Sequence, residues 1–211
     1  MNDEIYIATL KEQINSGMYD HLFFWGDGDE KEAKENLVFL DIGANIGLVS
    51  IYAVPYCKRI VAVEPALETW KKLMKNTKDY QIIGVDQSAL APEDKLVDFY
   101  ENDLNFTASS TVNTYGTKTQ VGGRTLMSIL DRNYLTHVDV VKIDAEGAEG
   151  EALNLSQLES ASGIISTYYI ETHNCPKTSW EHKLGTLVGN LARCGYTEMK
   201  ISGMAITATR P

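Results

Sequence analysis

An open, mostly parallel α/β sheet covered by helices on both faces is the fold that the sequence predicts, and three observations predict it. From residue 37 onward, apolar runs of strand length alternate with stretches of helical length and pattern. The first run, L-V-F-L-D, turns through G-A-N-I-G directly into the helix-length L-V-S-I-Y-A-V. The last two runs, Y-T-E-M-K-I and M-A-I-T-A-T, are short and joined by S-G, as a terminal antiparallel hairpin is.

Residues 1–36 come first and read as a polar, helix-like lead-in, solvated and capping one edge or lid of the domain. The strand at 37–41 ends in Asp41, the strand at 59–64 ends in Glu64, and the strand at 81–86 ends in Asp86. Between the last two lies a helix with Pro65 near its start, where the missing N–H costs least. Leu67, Trp70, Leu73 and Met74 fall on it at helical spacing and are expected in the core. The run K-L-V-D-F-Y adds a short strand, and the Ser- and Thr-rich segment 102–119 lacks period and reads as a loop or β excursion. Residues 124–135 form an amphipathic pattern leading into a fourth strand, V-D-V-V-K-I-D. A fifth strand, S-G-I-I-S-T-Y-Y-I-E-T-H, and a helix from Trp180 to Cys194 complete the alternation. No linker interrupts the pattern, so 1–211 reads as one domain.

A net charge of -10 disfavours nonspecific nucleic-acid binding, which needs Lys and Arg to neutralise phosphates, and it repels anionic membranes equally. The acidic start and the lack of an apolar stretch of spanning length predict a cytoplasmic protein. Cys57, Cys175 and Cys194 are odd in number and widely spaced, which favours reduced thiols over a disulfide framework or a zinc site.

Ligands of such sheets bind beyond the carboxyl ends of the strands, where these acids cluster. In D-I-G-A-N-I-G, small residues let the backbone approach a ligand, and Glu64, about 20 residues on, is placed to accept both hydroxyls of a ribose. A nucleoside is thereby indicated. The dinucleotide fingerprint G-x-G-x-x-G is broken by Asn45 and Leu48, so a nicotinamide-dependent oxidoreductase, or a catalytically silent nucleotide-binding module, is the alternative reading. S-adenosylmethionine carries no phosphate and is positive at its amino group and sulfonium, which suits a turn bordered by Asp41 and Asp144.

V-F-L-D-I-G-A-N-I-G, V-A-V-E-P, S-A-L-A-P-E-D-K and V-D-V-V-K-I-D-A-E-G-A-E-G-E-A-L, spanning roughly residues 37–155, resemble the FkbM-type S-adenosylmethionine-dependent methyltransferases. The resemblance implies the seven-stranded, Rossmann-like class I methyltransferase fold and O-methylation of a hydroxyl on a small molecule or saccharide. It places Asp41, Gly43, Ala44, Asn45 and Gly47 at the methionine end, Glu64 and Pro65 at the ribose, and Asp86, Gln87 and Ser88 at the adenine edge. Asp144 and Glu146 then fall beside the methyl donor, while Glu149 and Glu151 read as early helical acids at the positive end of a helix dipole.

Methyl transfer to an alcohol leaves the acceptor's proton as the harder problem. His173, just past the fifth strand and beside Glu171, is the candidate base. Lys142 is costly to bury unless paired, which predicts a carboxylate partner, Asp144, Glu146 or Glu171, or else a side chain that snorkels past the strand edge. A divalent metal on Asp144, Glu171 and His173 is possible chemically but lacks a strict motif and is not favoured. The segment 101–120 and Trp180 are expected to form the acceptor pocket or its lid.

Overall fold

The computed structural model describes residues 8, 11, 12, 14–25, 32–101, 109–112 and 116–211. In chain order these supply α1 (Asp20–Phe23), β1 (Phe24–Trp25), β2 (Glu32–Ala33), β3 (Leu37–Ile42), α2 (Leu48–Tyr52), β4 (Cys57–Val63), α3 (Leu67–Thr77) and β5 (Ile83–Asp86). There follow β6 (Ala89–Leu90), β7 (Lys95–Glu101), β8 (Thr117–Arg124), α4 (Leu126–Arg132), β9 (Val138–Ile143), α5 (Glu149–Ala152) and α6 (Leu155–Ala161). The chain closes with β10 (Ile165–Glu171), α7 (Trp180–Arg193), β11 (Glu198–Ser202) and β12 (Ala205–Thr209).

Seven strands form the main sheet in the order β5-β4-β3-β9-β10-β12-β11. β5, β4, β3, β9 and β10 run parallel, and β12 runs antiparallel to both β10 and β11. The fold is thus the seven-stranded class I methyltransferase arrangement with its terminal hairpin. That hairpin turns at Gly203 and Met204, one residue later than the S-G pair suggests.

Side chains alternate across the strands and divide the core in two. Leu40 and Ile42 of β3, Val61 and Val63 of β4, and Val141 and Ile143 of β9 pack with Leu130 of α4, Leu158 of α6 and Leu187 of α7. Phe39, Ile60, Val140 and Tyr169 face the other way, against Val49 of α2 and Tyr19, Leu22 and Phe23.

Those last three residues correct the reading of the N-terminal segment as a solvated lead-in. Tyr19, Leu22 and Phe23 are all buried, and the Phe23 ring meets Phe39 edge-on at 5.3 Å between centroids. A four-residue apolar run, Leu22 to Trp25, and a lone Tyr19 within a polar stretch are too short to show a period, so their burial could not be read from spacing. A second correction concerns α3. Leu67 and Met74 are exposed, and the buried stripe is Thr69, Leu73 and Thr77, because Leu73 and Thr77 press on the chain at Gly47. β8 pairs along its full length with β7 and builds a separate three-stranded sheet with β6. The β excursion expected there exists, although residues 102–108 and 113–115 lie outside the described residues.

The ends of β3 and β9 meet at Gly43. Its φ is +79°, and a Cβ there would stand 1.9 Å from the carbonyl oxygen of Asp144. Only glycine lets these two strand ends close up. Gly43→Ala is therefore expected to destabilise the protein by more than about 2 kcal/mol. Gly189→Ala, on an open face of α7 with nothing within 4 Å, is expected to stabilise it by about 0.5–1 kcal/mol. Urea unfolding of both variants checks the pair of signs.

Candidate active site

A cleft of about 830 Å³, open mouth included, lies at the carboxyl ends of β3, β4 and β9. One wall is the turn after β3, with Gly43, Ala44 and Asn45; Glu64, Pro65 and Ser88 continue it. Lys142, Asp144 and Glu146 border the opposite end, and Tyr19 is also part of the lining.

The turn is held by its own hydrogen bonds. The N–H groups of Gly43 and Ala44 both donate to the Val63 carbonyl at 3.0 Å, and that of Gly47 donates to the Ala44 carbonyl at 2.9 Å. The Asn45 N–H donates to Glu64 Oε2 at 3.0 Å, and the Ile46 N–H donates to Asn45 Oδ1 at 2.7 Å. Five consecutive backbone donors are thus consumed internally. Asn45 sits at φ +51°, a left-handed conformation that Asn tolerates better than most residues. Glu64 is buried, with Oε1 accepting from the Ala66 N–H at 2.9 Å. Burial pushes its carboxyl up to about 7, against the backbone donors of Ala66 and Asn45, which pull it down.

Lys142 organises the other end. β3 and β9 pair so that Asp41 stands beside Lys142, and β10 pairs so that Tyr169 stands on its other side. The lysine side chain is 3% exposed, and its Nζ lies 3.3 Å from Asp144 Oδ2 and 3.6 Å from Asp41 Oδ1. Burial alone would lower its pKa, but Asp144 and Asp41 outweigh that and raise it well above the ordinary lysine value. Asp41 in turn accepts from Ser50 Oγ at 2.6 Å through Oδ2. The expected pairing of Lys142 therefore exists with Asp144, and Asp41 takes the place expected for Glu146 or Glu171. Glu171 Oε1 instead accepts from the Tyr169 hydroxyl at 3.0 Å, and burial followed by the Asp144 charge raises its pKa.

Behind Asp144 and Glu146 stands His173, with Nε2 3.6 Å from Asp144 Oδ1 and 4.0 Å from Glu146 Oε2. Burial disfavours its imidazolium, yet Glu149, Asp144 and Glu146 together raise it to about 9. Burial likewise carries Glu146 up to about 8, with Asp144 adding repulsion and His173 opposing it. His173 and Glu171 do not line the cleft, nor do Asp41 and Gly47, which support it from behind. Asp86 and Gln87 are also absent from the lining. Asp86 Oδ2 accepts from Asn133 Nδ2 at 2.8 Å and so fixes the end of α4, whereas Gln87 is exposed. Trp180, expected in an acceptor pocket or lid, packs against the main core. Of segment 101–120, Ser109 and Thr111 reach the cleft.

Glu149 needs the largest revision. It is fully buried, and its Oε1 accepts the N–H groups of Ala145 at 3.0 Å and Gly147 at 3.1 Å while facing His173 Nδ1 at 3.3 Å. It therefore organises the turn, which a place at a helix start does not reveal. Lys183 of α7, also buried, donates to the carbonyls of Gly147 at 2.7 Å and His173 at 2.6 Å. Its sequence signal is a lysine lying on the apolar stripe of Trp180, Leu184, Leu187 and Leu191. Tyr19 and Ser50 carry no comparable signal. The three cysteines are free thiols, and among the described residues no helix is long and apolar enough to cross a membrane.

Removing the Lys142 ammonium strands a buried carboxylate at Asp41. Lys142→Met is expected to cost about 3–5 kcal/mol in urea unfolding, and adding Asp41→Asn is expected to restore part of that loss.

A search of curated proteins found no match. The structure is similar to that of methyltransferase FkbM from Methylobacillus flagellatus KT, at 15% identity and a TM-score of 0.56, covering 89% of this chain and 47% of that one. This chain thus spans about half the length of that relative. It is also similar to the fibrillarin pre-rRNA processing protein of Methanococcus jannaschii, at 11% identity and a TM-score of 0.50, covering 84% of this chain and 67% of that one. At such identities the two show a shared fold. A sequence profile of the methyltransferase FkbM domain matches residues 41–198, most of the chain. The chain belongs to the FkbM methyltransferase family.

Proposed function

We propose that the protein transfers a methyl group from S-adenosylmethionine to a hydroxyl of a small molecule or saccharide. The carrying observation is the closed turn at residues 43–47. A dinucleotide needs free backbone N–H groups at this turn for its pyrophosphate, and here all five are already bonded within the protein. The lysine of the cleft is likewise engaged, by Asp144 and Asp41. A phosphate would face carboxylates, whereas a cofactor without phosphates, positive at its amino group and sulfonium, meets charges of the right sign.

The residues suit that cofactor in detail. Glu64 offers the remaining lone pairs of a carboxylate pinned at both oxygens, which fits the two hydroxyls of a ribose. Gly43 to Asn45 form the side of the cleft without side-chain bulk, and Ser88 stands in the wall for the base. Asp144 and Glu146 face the positive end. When bound, S-adenosylmethionine supplies an already activated methyl group, so the protein's work is alignment and removal of the acceptor's proton.

For the acceptor, a second cavity adjoins the first and shares Leu90, Thr111 and Ala148 with it. Leu96, Val97 and Val112 supply apolar surface there, and Lys95, Asp98 and Glu151 supply polar groups, a mixture suited to an uncharged hydroxylated molecule. The Asp144–Glu146–His173 cluster lies at the methyl end and is assigned to the acceptor hydroxyl, with His173 acting through the two carboxylates. The net charge of -10 speaks against a nucleic-acid acceptor.

Isothermal titration tests the cofactor assignment: S-adenosylmethionine is expected to bind and NAD is not, and tight NAD binding alone would overturn the reading. Glu64→Gln is expected to weaken S-adenosylmethionine by roughly tenfold or more, the loss of charge-assisted hydrogen bonds. The same variant has a pH signature. A carboxyl raised from 4.5 to about 7 on folding stabilises the folded state fully below pH 4.5, and that stability is lost as pH rises to 7. Thermal melts of Glu64→Gln should therefore fall less between pH 4.5 and 7 than those of the parent protein.

A further inference from the structure

We infer that Asp144, Glu146 and His173 form a binding site for a first-row divalent cation. One donor atom from each of the three lies within 4.8 Å of the others. Octahedral ligands at about 2.1 Å from a metal stand about 3 Å apart, so rotamer shifts of roughly 1 Å close the set. Asp144 divides its carboxylate between two tasks. Oδ2 takes Lys142 at 3.3 Å, while Oδ1, shielded from solvent and without a hydrogen-bond partner, faces His173.

The histidine is oriented for ligation by a group outside the set. Glu149 already accepts two backbone N–H groups, so it is an acceptor for His173 Nδ1 as well. A proton on Nδ1 leaves the Nε2 lone pair pointing at Asp144 and Glu146. A carboxylate behind the imidazole, with the other ring nitrogen turned to the ion, is the arrangement that metal-binding histidines use. Glu149 is itself held by burial and by Lys183 Nζ 3.9 Å from its Oε2. The turn supports the same aim: Glu146 adopts φ +50° and Gly147 φ +108°, which bends the Glu146 side chain back toward His173.

Two carboxylates and one imidazole fit Mn²⁺ or a neighbouring first-row ion better than Ca²⁺, which wants six to eight oxygens. Three protein ligands leave positions open on the side of the cleft. A cation there lowers the pKa of an acceptor hydroxyl. The proton leaves to solvent, and the oxygen keeps the electron pair that forms the O–C bond as the C–S bond breaks. This use rests on the methyl-transfer reading, whereas the existence of the site does not.

The test is Mn²⁺ binding to the chelator-treated full chain, followed by loss of the free-ion electron paramagnetic resonance signal. One Mn²⁺ per chain is expected, with binding weakened by about tenfold or more in Asp144→Asn and in His173→Gln and unchanged in the surface control Glu159→Gln. No binding by the parent chain, or binding untouched in both cluster variants, overturns the site. Should either variant fold poorly, the melting temperature of the parent chain with and without Mn²⁺ decides instead: a rise supports the site and no rise overturns it. Titrating S-adenosylmethionine into the same chelator-treated protein separates the two readings. Its binding without Mn²⁺ binding overturns the cation site alone, and Mn²⁺ binding without it overturns the cofactor reading and leaves the cation site standing.

Discussion

The buried ammonium of Lys142 is the constraint on which the rest of the site depends. A charge in the middle strand of a covered sheet is tolerated only when opposite charges meet it there. Parallel pairing brings Asp41 alongside it, and Asp144 follows two residues later, just past the end of β9. Ser50 then steadies Asp41, and Gly43 allows the backbone to close against Asp144. Asp144 lines the cleft and Asp41 stands outside its lining, and together they neutralise the lysine; Glu64 and Glu146 are a surplus over that need and leave the cleft acid-rich.

The turn after β9 shows how the surplus is arranged. Glu149 folds back over Ala145 and Gly147 and fixes His173, while Lys183 ties the same turn to the loop after β10 through two carbonyls. Two buried groups of opposite charge thus hold the backbone that carries Asp144 and Glu146. At the other end of the cleft, Glu64 plays a comparable part: it takes the Asn45 N–H and stiffens the first turn while lining the cleft.

The parts of the fold legible in the sequence were those written as period. The five parallel strands were apolar runs ending in acids, because strands covered on both faces need continuous apolar residues and ligand sites need polar ones at the ends. Glu64 was legible for the same reason. Tyr19 was not, since its burial against Tyr169 depends on where α1 lands rather than on any local pattern. β8 was legible only as a loop or β excursion because T-K-T-Q-V-G-G-R has no apolar face, its partners being the backbones of β7 and β6. Glu149 resembled an ordinary helical acid, since spacing cannot show that left-handed residues at 146 and 147 fold the chain back onto it. Asp86 looked like its counterparts at other strand ends, yet Asn133 of a later turn claims it.

A crystal structure of the protein with S-adenosylhomocysteine tests the central claim most directly, namely that a self-bonded turn and an acid-rich strand end together select a cofactor without phosphates. The claim predicts ribose hydroxyls on Glu64, the amino group on the side of Asp144, and the N–H groups of residues 43–47 still bonded within the protein. A ligand held elsewhere, or a turn whose N–H groups swing out to meet it, would contradict the claim.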